Sequence, residues 1–371
     1  MLETASNSAL AERLRDRIQR EGPISFRDWM RAALYDPDNG YYCRVDRIKW
    51  GREGDYRTSP ERSGLFGATL ARYFAKVYEE NGKPPLWTIL EVGAGDGRFA
   101  DSVLSNLEVH FPHVFSATRY VIDEVGHNSQ SVARQRLAPF ADRVSFKSKN
   151  DVAIDFGVVF SNELLDAFPV HRVKLTNGEL LEFYVDNDAD GKFRWILDPP
   201  STPGIAEYFE KHGVVLGEGQ IAEANLEIEE WFNELAGNIR SGYVITVDYG
   251  AEAAELYPST ATDPRYFGTL RSFQRHQIMD DVLFDPGEQD LTASVNWSAL
   301  KGAGERLGFK VIELERQDRF LLAAGLLEQL EIETQLASGE ADKLRLNSAA
   351  LEMILPTGMA AHFQVLVQQR N

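Results

Sequence analysis

The chain has 371 residues, 43% of them hydrophobic, which is enough to bury a substantial core. A net charge of −18 argues against nucleic acid or an anionic membrane surface as a general partner, because both would repel it. A single cysteine, Cys43, excludes an intrachain disulfide and a cysteine-built metal cluster.

Residues 1–84 read as a helical N-terminal extension. Leu10, Leu14 and Ile18 recur at four-residue spacing and mark one apolar helix face. This charged start has no apolar h-region, so it does not read as a signal peptide. No apolar run is long enough to cross a bilayer, and a cytoplasmic, reducing compartment is expected. The centre of the extension, residues 36–64, is rich in loops and carries Tyr41, Tyr42, Trp50 and Tyr56. Aromatic residues of that kind favour an ordered loop near a site.

Residues 85–371 read as an α/β domain. Strands are predicted at 86–92, 119–125, 143–147, 155–162, 243–250, 309–314 and 362–369, with helices over 98–108 and 128–138. Strands alternating with helices predict βαβ units in a mostly parallel, Rossmann-like sheet of seven strands. The pattern leaves the order of the last two strands open. Two insertions are expected, near 170–198 and 251–296. The first reads as a hairpin, since Asn177-Gly178 is a strong type I′ turn signal.

The stretch ILEVGAGDGRF, 89–99, ends the first strand of this sheet. Ligands of open α/β sheets bind beyond the carboxyl ends of the strands. Gly93, Gly95 and Gly97 would let the backbone approach a ligand there, although a tight strand-to-helix turn could use the same glycines. The dinucleotide fingerprint is G-x-G-x-x-G, whereas this loop is G-x-G-x-G with Arg98 in the place of the third glycine. Glu91 would repel a pyrophosphate but can anchor an ammonium group. S-adenosylmethionine has an ammonium and no phosphate, so E-x-G-x-G-x-G favours a class I methyltransferase over an NAD-dependent oxidoreductase. A ribose would be held by a carboxylate at the end of the second strand, Glu124 or its neighbour Asp123.

The fourth strand runs into SNELLDAFPV, with Asn162, Glu163 and Asp166 at the sheet's carboxyl edge. Ser161 or Asn162 could simply cap a turn. The alternative is chemistry: methyl transfer requires alignment of a nucleophile, and carboxylates clamp a guanidinium in bidentate fashion and can take its proton. Thr58, Ser59, Glu61, Asp248, Tyr249 and His276 are further loop candidates, each also explicable as a cap or turn residue. The His and acid spacing predicts no metal. No G-x-S-x-G elbow is present.

Taken together, GDYRTSPERSGLFG, LEVGAGDGRFADSVL, SNELLDAFPVHRV, VITVDYG, GTLRSFQRH and PGEQDLTASVNW resemble the MidA-like methyltransferases over roughly residues 22–315. The resemblance implies a class I methyltransferase fold with a helical extension and insertions. It implies S-adenosylmethionine bound by Glu91, Gly93, Gly95, Gly97 and Glu124, with Asn162, Glu163 and Asp166 beside the methyl donor. Mitochondrial members assist assembly of respiratory complex I and methylate an arginine of one of its subunits. A protein arginine acceptor, such as a complex I subunit, is therefore expected. Two other readings stand beside it: a small-molecule methyltransferase, and a non-catalytic assembly factor that keeps the cofactor site. The chain departs from the family at Asn296, where an aspartate is common, and at Val125-Gly126, where a Ser-Pro pair is usual.

Overall fold

A computed structural model describes residues 8–44, 64–274, 277–355 and 362–371. Helix α1 (Ala9–Glu21) starts at Ser8, whose hydroxyl accepts from the Ala11 amide at 3.2 Å, and buries Leu10, Leu14 and Ile18. Ser25 caps α2 (Phe26–Tyr35) in the same way. Helix α3 (Gly64–Glu80) then leads into the sheet domain.

There the chain alternates through β1 (Trp87–Val92), α4 (Arg98–His110), β2 (Thr118–Asp123), α5 (His127–Arg136), β3 (Val144–Phe146) and β4 (Ile154–Asn162). An insertion follows, comprising β5 (His171–Thr176), β6 (Glu179–Asn187), β7 (Phe193–Asp198), α6 (Gly204–Lys211) and β8 (Ile221–Ala224). The chain returns through α7 (Glu227–Asn238) and β9 (Ile239–Ala251). After a loop-rich stretch come β10 (Val295–Asn296), α8 (Trp297–Arg306) and β11 (Lys310–Arg316). Helices α9 (Gln317–Ala323), α10 (Leu326–Leu336) and α11 (Glu340–Ile354) precede the last strand, β12 (Phe363–Arg370).

The main sheet runs β11-β12-β9-β4-β1-β2-β3, with β10 pairing alongside β9. Among the seven strands of that path, only β12 runs opposite to the other six. It lies inside the sheet because Val365 and Val367 join the core on one face and Leu366 the core on the other. Strand β11 carries Lys310, Glu313 and Glu315 and takes the wet edge. Strand order reverses between β1 and β4, and the crevice at such a switch point is where α/β sheets bind ligands. Phe99 of α4 stacks on Phe160 of β4, with ring centroids 4.2 Å apart, and fixes the helix that begins at the glycine loop.

The insertion is larger than a hairpin. Asn177 and Gly178 have φ of 53° and 78° in a two-residue turn between Thr176 and Glu179, the type I′ geometry. Strands β7 and β8 extend the hairpin, and Ile24 and Ser25 pair with Val185 and Tyr184. The stripe of α1 and the aromatic face of α2 pack with Val185, Phe193 and Trp195 into one core. The N-terminal helices and the insertion thus form a single lobe beside the sheet's carboxyl edge.

Candidate active site

Strand β1 delivers the glycine loop. Gly93, Gly95 and Gly97 all adopt positive φ, at 75°, 56° and 78°. A Cβ on Gly93 would lie 2.9 Å from Cδ1 of Leu164, so only glycine keeps the space between the loop and the end of β4. The Gly95 amide donates to Glu124 at 2.9 Å, and the other Glu124 oxygen accepts from the Gly126 amide at 2.7 Å. This brace ends β2 at Asp123, two residues short of the predicted strand end. Arg98 pairs with Asp96, as does Arg136 of α5.

Glu91 is buried, and one of its oxygens accepts from the Tyr120 hydroxyl at 2.6 Å. Burial pushes its carboxyl up to about 8, the Tyr120 hydrogen bond opposing and the charges of Glu124 and Asp96 adding to the rise. Asp123 is also pushed up by burial, against a 2.9 Å hydrogen bond from the Lys149 amide.

Two cavities flank the turn after β4. The first, roughly 640 Å³, is lined by Val92, Gly93, Asp123, Lys149, Leu164 and Phe168, and closed by residues of α2 and α7. The second, roughly 460 Å³, is lined among others by Glu163, Asp166, Tyr249, Tyr42 and Asp290. Leu164 therefore faces one cavity while Glu163 and Asp166 face the other.

The turn itself is held by Asp248, near the carboxyl end of β9. One Asp248 oxygen accepts from the amides of Leu164, Leu165 and Asp166 at 3.3, 3.0 and 3.4 Å, and the other from the Tyr249 amide at 2.9 Å. Glu163 has φ of 51°, a strained value for a residue with a side chain. The Asn162 amide nitrogen donates to Glu163 at 3.1 Å, while its buried Oδ1 has no hydrogen-bond partner among the described residues. Burial raises the carboxyls of both Asp166 and Asp248; the Tyr249 hydroxyl opposes the rise at Asp166, and the Asp166 charge adds to that at Asp248.

The sequence marks Tyr42 only as one aromatic of the 36–64 loop and does not single out Asp290, although Asp290 lies in the segment PGEQDLTASVNW. The Tyr42 hydroxyl donates to Asp290 at 2.6 Å, and the Tyr42 ring stacks on Tyr35, which lines the first cavity. Tyr35 in turn donates to the Ala167 carbonyl at 3.1 Å. Asn296 lies outside both cavities: it caps α8, and its amide nitrogen donates to Tyr208 at 2.8 Å, which an aspartate could not do. Thr58, Ser59, Glu61 and His276 lie outside the described residues. No helix among the described residues is long and apolar enough to cross a membrane, and no cluster of potential metal ligands occurs among them.

The first cavity fits an adenosyl amino acid: Val92, Leu164 and Phe168 form an apolar wall, Gly93 permits close approach and Asp123 offers a carboxyl, while Glu91 and the orphaned Oδ1 of Asn162 are buried and not among the residues that line it. Comparison with known proteins agrees. Residues 69–314 match a family described as S-adenosyl-L-methionine-dependent methyltransferase. A mitochondrial protein arginine methyltransferase, the NDUFAF7 homologue of Drosophila melanogaster, is 28% identical over 82% of this chain and 72% of its own. Its Homo sapiens counterpart is 28% identical over 85% and 73%. A crystal structure from Burkholderia thailandensis bound to S-adenosyl-homocysteine is 29% identical, covers 98% of this chain and 92% of its own, and superposes with a TM-score of 0.85. With the class I sheet order and the glycine loop of β1 in place, the chain belongs to the MidA-like family of S-adenosyl-L-methionine-dependent methyltransferases.

Proposed function

We propose that this methyltransferase N-methylates an arginine side chain of a protein. The observation that carries the reading is the second cavity, whose acids Glu163, Asp166 and Asp290 stand across the β4 turn from the glycine loop. A guanidinium is the group that such a floor suits, because carboxylates bind its planar fork and offset its charge. The names of the mitochondrial relatives support the same acceptor. A respiratory complex I subunit is the first candidate, and the cytoplasm, where the half-buried Cys43 would stay reduced, the proposed compartment.

In this reading Glu91 takes the cofactor's ammonium group, and Gly93, Gly95 and Gly97 let the backbone approach it. Glu124, the acid at the end of the second strand that the resemblance implies for the ribose, has both oxygens engaged by backbone amides. Asp123 lines the first cavity and is the better placed acceptor for the ribose hydroxyls. When bound, S-adenosylmethionine supplies a methyl group on a sulfonium. Glu163 and Asp166 orient the guanidinium nitrogen, Asn162 holds Glu163, and a carboxylate takes the proton the nitrogen loses as the N–C bond forms and the C–S bond breaks.

The test is methyl transfer to arginine peptides, lysine peptides and small amines by the purified enzyme. Transfer to arginine alone supports the reading, and transfer confined to small molecules rejects it. Glu163→Gln and Asp166→Asn should bind S-adenosyl-homocysteine as the parent does yet lose about 100-fold or more in turnover. Parent-like rates in both would remove these acids from the reaction.

A further inference from the structure

The segment GTLRSFQRH stands out in the sequence without a task. Strand Arg271–Gln274 places Arg271 and Phe273 of it in the lining of the second cavity, with Arg271 paired in register to Thr292. The charge of this cavity is layered. Asp166 and Asp290 are 5% and 4% exposed, whereas Arg271 is exposed at the mouth. Two arginines line the cavity, and they differ. Arg265 grips Asp263 through two nitrogens, at 3.1 and 2.8 Å, and Glu255 through a third at 2.9 Å, so its charge is met. The Arg271 side chain has no ion pair or hydrogen bond among the described residues. In a chain where acids outnumber bases 57 to 39, a guanidinium without a carboxylate at the rim of an acidic cavity has its binding capacity unspent.

We infer that Arg271 binds a carboxylate of the acceptor, close in the chain to the group that enters the acidic floor. This rests on the arginine reading above and narrows it: the acceptor is an arginine with an aspartate or glutamate nearby. A floor of carboxylates selects the cation, and a guanidinium at the rim selects the acid beside it, since the arginine fork matches carboxylate geometry. Without Arg271, an enzyme this negative would repel the acidic flank.

The experiment compares kcat/KM for three peptides with the same central arginine, flanked by Glu, Gln or Lys, on the parent enzyme, Arg271→Lys and Arg271→Glu. The parent is expected to prefer the Glu-flanked peptide over the Lys-flanked one by about tenfold or more. Arg271→Lys should keep that order in weaker form, and Arg271→Glu should invert it. Melting temperature and S-adenosyl-homocysteine affinity show that each variant is folded. A parent enzyme indifferent to the flank, or an Arg271→Glu variant that keeps the parent's order, overturns the inference while the arginine reading stands. Failure of the parent to methylate any arginine peptide overturns the arginine reading itself, and this inference with it.

Discussion

Glu91 is a buried acid that the fold keeps protonated near neutrality, its carboxyl being raised to about 8. Between the ordinary glutamate range and that value the native chain holds a proton that the unfolded chain has lost. Stability should therefore fall as pH rises through this window. Glu91→Gln should flatten the dependence of melting temperature on pH between about 5 and 8 in the cofactor-free protein. If Glu91 receives an ammonium group, binding must drive its proton off. Calorimetry with S-adenosyl-homocysteine at pH 7, in buffers of different ionisation enthalpy, should then register release of about one proton, with affinity rising toward pH 8. Pairs of buffers giving the same heat would place the ammonium elsewhere. Glu163 presents the converse case, a side chain held at φ of 51° where glycine would be relaxed. Glu163→Gly should raise stability by about 1 kcal/mol in urea unfolding while abolishing turnover, the pattern of strain retained for function.

The turn after β4 depends on a neighbouring strand. Asp248 lies near the carboxyl end of β9, and its carboxyl group gathers the amides of Leu164, Leu165 and Asp166. Asparagine would keep one acceptor but turn an NH2 group toward an amide that now donates. Asp248→Asn should thus cost about 1–3 kcal/mol in urea unfolding. Because the turn carries Glu163 and Asp166, turnover should fall as well, even at temperatures where the variant is fully folded. The glycine loop makes a matching demand on the other side of the crevice. Gly93→Ala would set a Cβ against Leu164 in a backbone region that side chains rarely adopt. Its expected effect is weaker S-adenosyl-homocysteine binding, read by titration, with the β-sheet core left intact.

At the scale of the molecule, the N-terminal lobe is part of the site's wall. Arg27 and Arg31 of α2 both bind Glu227 at the start of α7, and all three residues line the first cavity. These side chains are partly exposed, at 30% and 48% for the two arginines, so their joint removal should change stability by no more than about 1 kcal/mol. The same double change, Arg27→Ala with Arg31→Ala, should open the cavity and speed release of S-adenosyl-homocysteine several-fold in stopped-flow measurements. An unchanged release rate would mean that the ligand leaves by another route.

The sequence by itself determined the elements and their class. Continuous apolar runs and the Asn177-Gly178 turn are local, so β1, β2, β4 and the β5–β6 hairpin are legible within a few residues. The glycine loop was legible too, because its spacing and its preceding acid are covalent neighbours. Only the tertiary structure decided what depends on residues far apart in the chain. It set β12 between β9 and β11, because a strand with apolar residues on both faces must be covered on both. It joined Tyr42 to Asp290 across 248 positions and put Asp248 beneath the β4 turn. It also separated Asp123 from Glu124: adjacent acids alternate across a strand end, and which of them faces the cavity depends on where the strand stops. That stop is set by Glu124 bonding the Gly95 and Gly126 amides, a contact that forms only when two loops meet.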